Sequence, residues 1–130
     1  MKFPPTIKVY GDKSFRDKKC PKELYEQVSL VNHVRPRWPT ITHIENEGRR
    51  NRQQILKAKM SGLTTGASDI IIPARITFLC ELKRTDHTLC SISPEQVAYL
   101  ERAQSDGAFA CIALGCIAAL EALAEWEKLL

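Results

Sequence analysis

Gly66-Ala67-Ser68-Asp69-Ile70-Ile71-Ile72 leads through Pro73-Ala74-Arg75 into Ile76-Thr77-Phe78-Leu79-Cys80-Glu81-Leu82-Lys83. Both apolar halves are rich in β-branched residues, which suit a packed, pleated surface, and a proline-containing turn separates them. They predict two strands, 69–72 and 76–83, joined by a tight connection. Side chains along a strand alternate between faces. Ile76, Phe78, Cys80 and Leu82 therefore take one face of the second strand, and Thr77, Leu79, Glu81 and Lys83 take the other. Glu81 and Lys83 project together from the end of an apolar strand. If Ile72 pairs with Ile76, Asp69 falls opposite Leu79, diagonal to Glu81 and on its face, with backbones roughly 7–8 Å apart. A slip of one residue would turn Asp69 to the wrong face.

Upstream, the first twenty residues are rich in proline and lysine with little periodicity, and predict a loosely ordered basic arm (1–20) ahead of a single domain (21–130). Pro21 suits a first helical position, and Leu24, Val28 and Val31 recur at helical spacing, predicting a helix over 22–34. Residues 38–44 carry Thr40, Ile41, Thr42 and Ile44 and predict a strand. Asn46-Glu47-Gly48 reads as a turn, 49–60 as a polar, basic helix, and 62–66 as a loop.

Downstream, Ser93-Pro94-Glu95-Gln96 starts a helix, with a serine cap, proline at the first position and glutamine three after the cap. That helix runs to about Gly107. Residues 108–114 form a continuous apolar run typical of a strand buried on both faces. In the final helix, 115–130, Leu120, Leu123 and Leu130 lie opposite Glu121, Glu125 and Lys128. The expected architecture is α/β: one mixed β-sheet flanked by helices.

Composition narrows the function. The chain has 130 residues, 44% of them hydrophobic and 26% charged, as in a globular domain. No apolar run approaches the roughly 18 residues of a membrane span, and Met1-Lys2-Phe3-Pro4-Pro5 does not open a signal region, so a cytoplasmic protein is expected. The net charge of +4 suits a polyanionic partner. Positive charge gathers in 2–22 and again at Arg49, Arg50, Arg52, Lys57 and Lys59. Five cysteines without a CxxC pair and three scattered histidines argue against disulfides and zinc.

Two carboxylates that converge beside a lysine suit phosphodiester hydrolysis. Mg²⁺ prefers oxygen ligands and keeps part of its water shell, so Asp69, Glu81 and a main-chain carbonyl would hold it well. Lys83 would orient a water or offset the charge that develops on phosphate.

Taken in order, His43-Ile44-Glu45-Asn46-Glu47-Gly48-Arg49-Arg50, Gly62-Leu63, Gly66-Ala67-Ser68-Asp69, Glu81-Leu82-Lys83-Arg84 and Ser93-Pro94-Glu95-Gln96 resemble the virus-type replication-repair nuclease (VRR-NUC) family. This is a branch of the PD-(D/E)XK superfamily, with a restriction-endonuclease-like core, and the likeness runs from about residue 20 to the C-terminus. Ser68 stands where the superfamily name has proline.

The resemblance implies Asp69, Glu81 and the Leu82 carbonyl as ligands for Mg²⁺, with Mn²⁺ able to substitute, and Lys83 as the catalytic lysine. A first-helix glutamate completes such sites. Glu26 matches it, and Glu23 lies one turn earlier. Gln96 would act at the site, or else serve only as the cap of its helix. Asn46, Glu47, Arg49, Arg50, Arg52 and Arg84 would face substrate, and the basic arm would contact phosphates. The family implies a homodimer that cleaves branched DNA, four-way junctions above all. The alternatives are a monomeric nuclease for flaps or nicks and a non-catalytic DNA-binding module on the same scaffold.

Overall fold

The computed structural model describes residues 1–44 and 51–130. Its elements are β1 (Lys8–Tyr10), α1 (Glu23–Val34), β2 (Thr42–His43), α2 (Arg52–Met60), β3 (Ile70–Ile72) and β4 (Phe78–Lys83), then a 3-10 turn (His87–Leu89), α3 (Pro94–Ser105), β5 (Phe109–Leu114) and α4 (Cys116–Glu127). The five strands form one mixed sheet in the order β1-β5-β4-β3-β2. β1 and β4 flank β5 in parallel, while β4, β3 and β2 run antiparallel in turn.

Each face of the sheet buries a different helix set. On one, Ile70, Ile72, Phe78, Cys80 and Leu82 pack with Leu30 and Val34 of α1 and with Ala119, Ala122 and Trp126 of α4. On the other, Leu79, Ala110 and Ile112 pack with Leu100 of α3. This is the alternation anticipated for β4, and all six of its residues are buried. Trp126 anchors the first face: its indole N–H donates to the Ile76 carbonyl at 2.7 Å. The ring also lies 4.8 Å from Trp38 and 5.3 Å from Phe78, centroid to centroid.

Four local readings need correction. The first twenty residues are not a loose arm. Their Lys8–Tyr10 segment pairs with β5, with Ile7 buried on the α3 face and Tyr10 on the α1/α4 face. A high density of lysine had hidden this short strand. α1 begins at Glu23, past Pro21, and it buries Leu30 and Val34, whereas Leu24 and Val28 stay exposed. α2 begins at Arg52 beneath a capping box made by Asn51 and Gln54, and no residue of it is buried. α4 ends at Glu127, so Leu130 lies past the helix and is exposed. The turn expected at Asn46-Glu47-Gly48 lies outside the described residues.

The five cysteines are free. Cys80 and Cys111 are fully buried partners on neighbouring strands, and their mutual hydrogen bond, with burial, pushes the Cys80 thiol up. Among the described residues no helix is long and apolar enough to cross a membrane.

Candidate active site

The β3–β4 register differs from the expected one by two residues. Ile72 pairs with Phe78, Ile71 with Leu79 and Ile70 with Cys80. Residues 73–77 thus form a longer connection than the three-residue turn expected. Because side chains repeat every two residues, the shift leaves every side chain on its anticipated face. Continued by one step, the register sets Asp69 directly opposite Glu81 rather than diagonal to it. The approach is closer than the sequence alone indicated.

Hydrogen bonds fix the pair. The Leu82 N–H donates to Asp69 Oδ2 at 3.1 Å, which ties the carboxylate to β4. Lys83 Nζ lies 3.3 Å from Glu81 Oε1, with the side chains only 3% and 0% exposed. Gln96 Nε2 donates to the same oxygen at 2.8 Å. Charged groups this deep are costly unless paired and hydrogen-bonded, and the Lys83 ammonium and the Gln96 amide both meet Glu81 at Oε1. Within a strand, a residue's N–H and C=O point to the same edge. The Lys83 carbonyl accepts from Gly115 N–H on the β5 side, so Leu82, one residue back, turns its polar groups toward Asp69.

Gln96 fills both roles that the sequence left as rivals. Its Oε1 accepts from Ser93 N–H at 2.8 Å, completing the capping box of α3, while its amide nitrogen holds Glu81. The loop before β3 delivers Asp69 by seating Gly66 on the start of α3. Gly66 has φ +82°, and a Cβ there would lie 2.4 Å from the Glu95 carbonyl oxygen. Only glycine permits both that conformation and that approach. Beside Asp69, the Ser68 hydroxyl is buried and has no hydrogen-bond partner among the described residues.

Other expected residues lie elsewhere. Glu26 sits at the start of α4, where its Oε2 accepts from Cys116 N–H at 2.6 Å and its Oε1 from the Thr85 hydroxyl at 3.5 Å. A carboxylate there complements the positive end of the helix dipole. Among the described residues no three acidic, histidine or cysteine side chains are grouped to hold a metal. Glu23, one turn earlier, is half-buried, and its charge reaches Cys90 along with that of Lys83. Burial is the main cause that pushes the Cys90 thiol up.

Arg84 is half-buried and turned toward the segment before α1. Its guanidinium donates to the Cys20 carbonyl at 2.6 Å and to the Pro21 carbonyl at 3.1 Å. Arg52 is exposed at the start of α2. Asn46, Glu47, Arg49 and Arg50 lie outside the described residues.

Sequence reasoning passed over Asp86, which is buried and accepts from Asp17 N–H, Thr88 N–H and the Thr88 hydroxyl. The signal was available locally, since an aspartate two residues before threonine favours such a turn.

No family model matches the sequence, and no curated protein gives a significant match. Among solved structures, a protein described as "VRR_NUC domain protein" superposes with a TM-score of 0.71 at 19% identity, covering 85% of this chain and 91% of that one. The mixed five-stranded sheet and its helices share the fold of that protein.

Proposed function

We propose that this chain, which shares the fold of a VRR_NUC domain protein, is a metal-dependent nuclease that hydrolyses phosphodiester bonds in branched DNA. The observation that carries the reading is the buried cluster of Asp69, Glu81 and Lys83 on one sheet face, with Gln96 holding Glu81. Fold likeness alone would not license it, because function resides in the site.

The donor set fits a hard divalent cation. Asp69, Glu81 and the Leu82 carbonyl are oxygen donors that converge from β3 and β4, and the three side chains Asp69, Glu81 and Lys83 carry one net negative charge when ionised. Mg²⁺ suits such ligands, with Mn²⁺ as substitute, and would polarise the phosphate and lower the pKa of its bound water. Asp69, Glu81 and the Leu82 carbonyl would hold it. A first-helix carboxylate, Glu26 or Glu23, is proposed to complete the set, and Glu26 already accepts from Cys116 N–H at the start of α4.

The protein's own groups then do the remaining work. The Leu82 N–H fixes the aspect of Asp69, and Gln96 fixes that of Glu81, so neither carboxylate must reorganise as charge develops. Lys83, held against Glu81, keeps its ammonium where it can donate to the attacking water or to a phosphate oxygen. Asn46, Glu47, Arg49, Arg50 and Arg52 are proposed to face the substrate.

A two-fold dimer would present two sites to a two-fold junction, and we propose that assembly. The test is cleavage of synthetic four-way junctions, flaps and linear duplex with and without Mg²⁺, alongside mass measurement in solution. Wild type should cut junctions best and only with metal, and Asp69→Asn should be inert. Undiminished cutting by Asp69→Asn ends the proposal.

A further inference from the structure

We infer that residues 13–22 form a preordered ridge that grips the phosphate backbone of a nucleic-acid duplex and sets which phosphodiester reaches Asp69, Glu81 and Lys83. The inference rests on the nuclease reading and adds to it the means by which substrate is held in register.

The ridge carries Lys13, Arg16, Lys18, Lys19 and Lys22, all exposed. Its one acid, Asp17, accepts from Lys19 N–H through Oδ1, and the adjoining Asp12 accepts from the Ser14 N–H and hydroxyl. Arg16 likewise donates to the Lys13 and Phe15 carbonyls and Lys13 lies over the Phe3 ring, so Lys18, Lys19 and Lys22 are the cations that give the ridge its outward positive charge, complementary to a polyanion.

Its attachment is the second observation. Arg84 directly follows Lys83 and holds the carbonyls of Cys20 and Pro21. Buried Asp86 accepts from Asp17 N–H at 2.9 Å, and His87 Nε2 lies 3.1 Å from the Lys13 carbonyl. Three clamps from residues 84–87 therefore tie the ridge to the segment that directly follows Lys83 at the end of β4. A cationic surface clamped this near the site holds a bound backbone at a fixed offset from it. Phosphate contacts position without reading sequence, so the ridge governs where the cut falls, not which bases flank it. Arg84 and Asp86 are positioning residues in this scheme.

The test has two arms. In an Asp69→Asn background, binding of a short fluorescein-labelled DNA duplex is followed by anisotropy across rising NaCl, with and without Lys18→Ala/Lys19→Ala/Lys22→Ala. Each lost phosphate contact removes about 0.9 from the log–log salt slope, so the triple variant should be shallower by about 2–3. An unchanged slope overturns the ridge. In the active protein, Asp86→Asn and Arg84→Met should spread the mapped cuts over neighbouring bonds while thermal melting confirms a folded chain. Cuts that stay on the same bonds in both folded variants overturn the positioning role. If the parent binds with the expected slope yet cleaves nothing, the nuclease reading fails and the ridge stands.

Discussion

Gly66→Ala puts a methyl group where the loop before β3 meets the start of α3. The added Cβ would stand 2.4 Å from Glu95 O, 2.5 Å from Glu95 C and 2.8 Å from Gln96 N, all backbone atoms of a capped helix that cannot swing aside. It would also force an L-residue to φ +82°. The left-handed conformation costs about 1–2 kcal/mol, and overpacking adds about 1–3 kcal/mol. Gly62 provides the control: its φ is +113°, but among the described residues nothing lies within 4 Å of the place a methyl would take. Gly62→Ala should therefore show the backbone penalty alone. At about 3–4 °C per kcal/mol, Gly66→Ala should lower Tm by on the order of 10 °C, at least twice the fall in Gly62→Ala. Since the displaced helix start carries Gln96, junction cleavage should fall with it. Paired melts and single-turnover cleavage decide the matter. Equal Tm and equal cleavage in the two variants would refute the close-approach argument.

Gln96→Glu keeps an acceptor for Ser93 N–H but replaces the donor to Glu81 with a second carboxylate, so α3 should stay capped while cleavage drops at least tenfold; activity within a factor of two would show that the contact is idle. If Glu23 is the helix carboxylate, Glu23→Gln should depress cleavage strongly, whereas Glu26→Gln retains an acceptor for Cys116 N–H and should cost only about 0.3–1 kcal/mol at the start of α4. The reverse ranking in matched kinetic and melting assays would give that role to Glu26. Hydrogen bonds from Thr88, chiefly its hydroxyl, hold the Asp86 carboxyl below its usual range. A depressed folded value means stability that is complete above the unfolded pKa of about 3.9 and is lost as pH falls through the folded one. Denaturant midpoints should therefore fall below about pH 4, and Asp86→Asn should flatten that acid limb; parallel acid limbs would contradict it.

The face assignment of Asp69, Glu81 and Lys83 was legible because it depends only on parity. The two-residue register difference moved Asp69 along β4 without turning it over, so the local pattern sufficed. The connection length was not legible, because Ile76 and Thr77 are β-branched yet sit outside the ladder. The capping box at Ser93 could be read from spacing, but not that the same Gln96 reaches a carboxylate fifteen residues away. Glu26 and Arg84 are the converse. Their types fit a site, and their actual partners, Cys116 N–H and the Cys20 and Pro21 carbonyls, lie far along the chain. Such destinations are set by packing of the whole chain, which no window of sequence contains. β1 was missed for a related reason: three residues become a strand only when β5 is beside them.

That last pairing has a consequence for biosynthesis. Lys8 meets Cys111 and Tyr10 meets Ala113, so the earliest strand waits on one made more than a hundred residues later. Contacts of such long range are slow to form, because the intervening chain must close on itself first. β4, with Glu81 and Lys83, is synthesised before its β5 neighbour. A nascent chain therefore cannot complete the sheet that shelters Glu81 and Lys83 until β5 has been made and released.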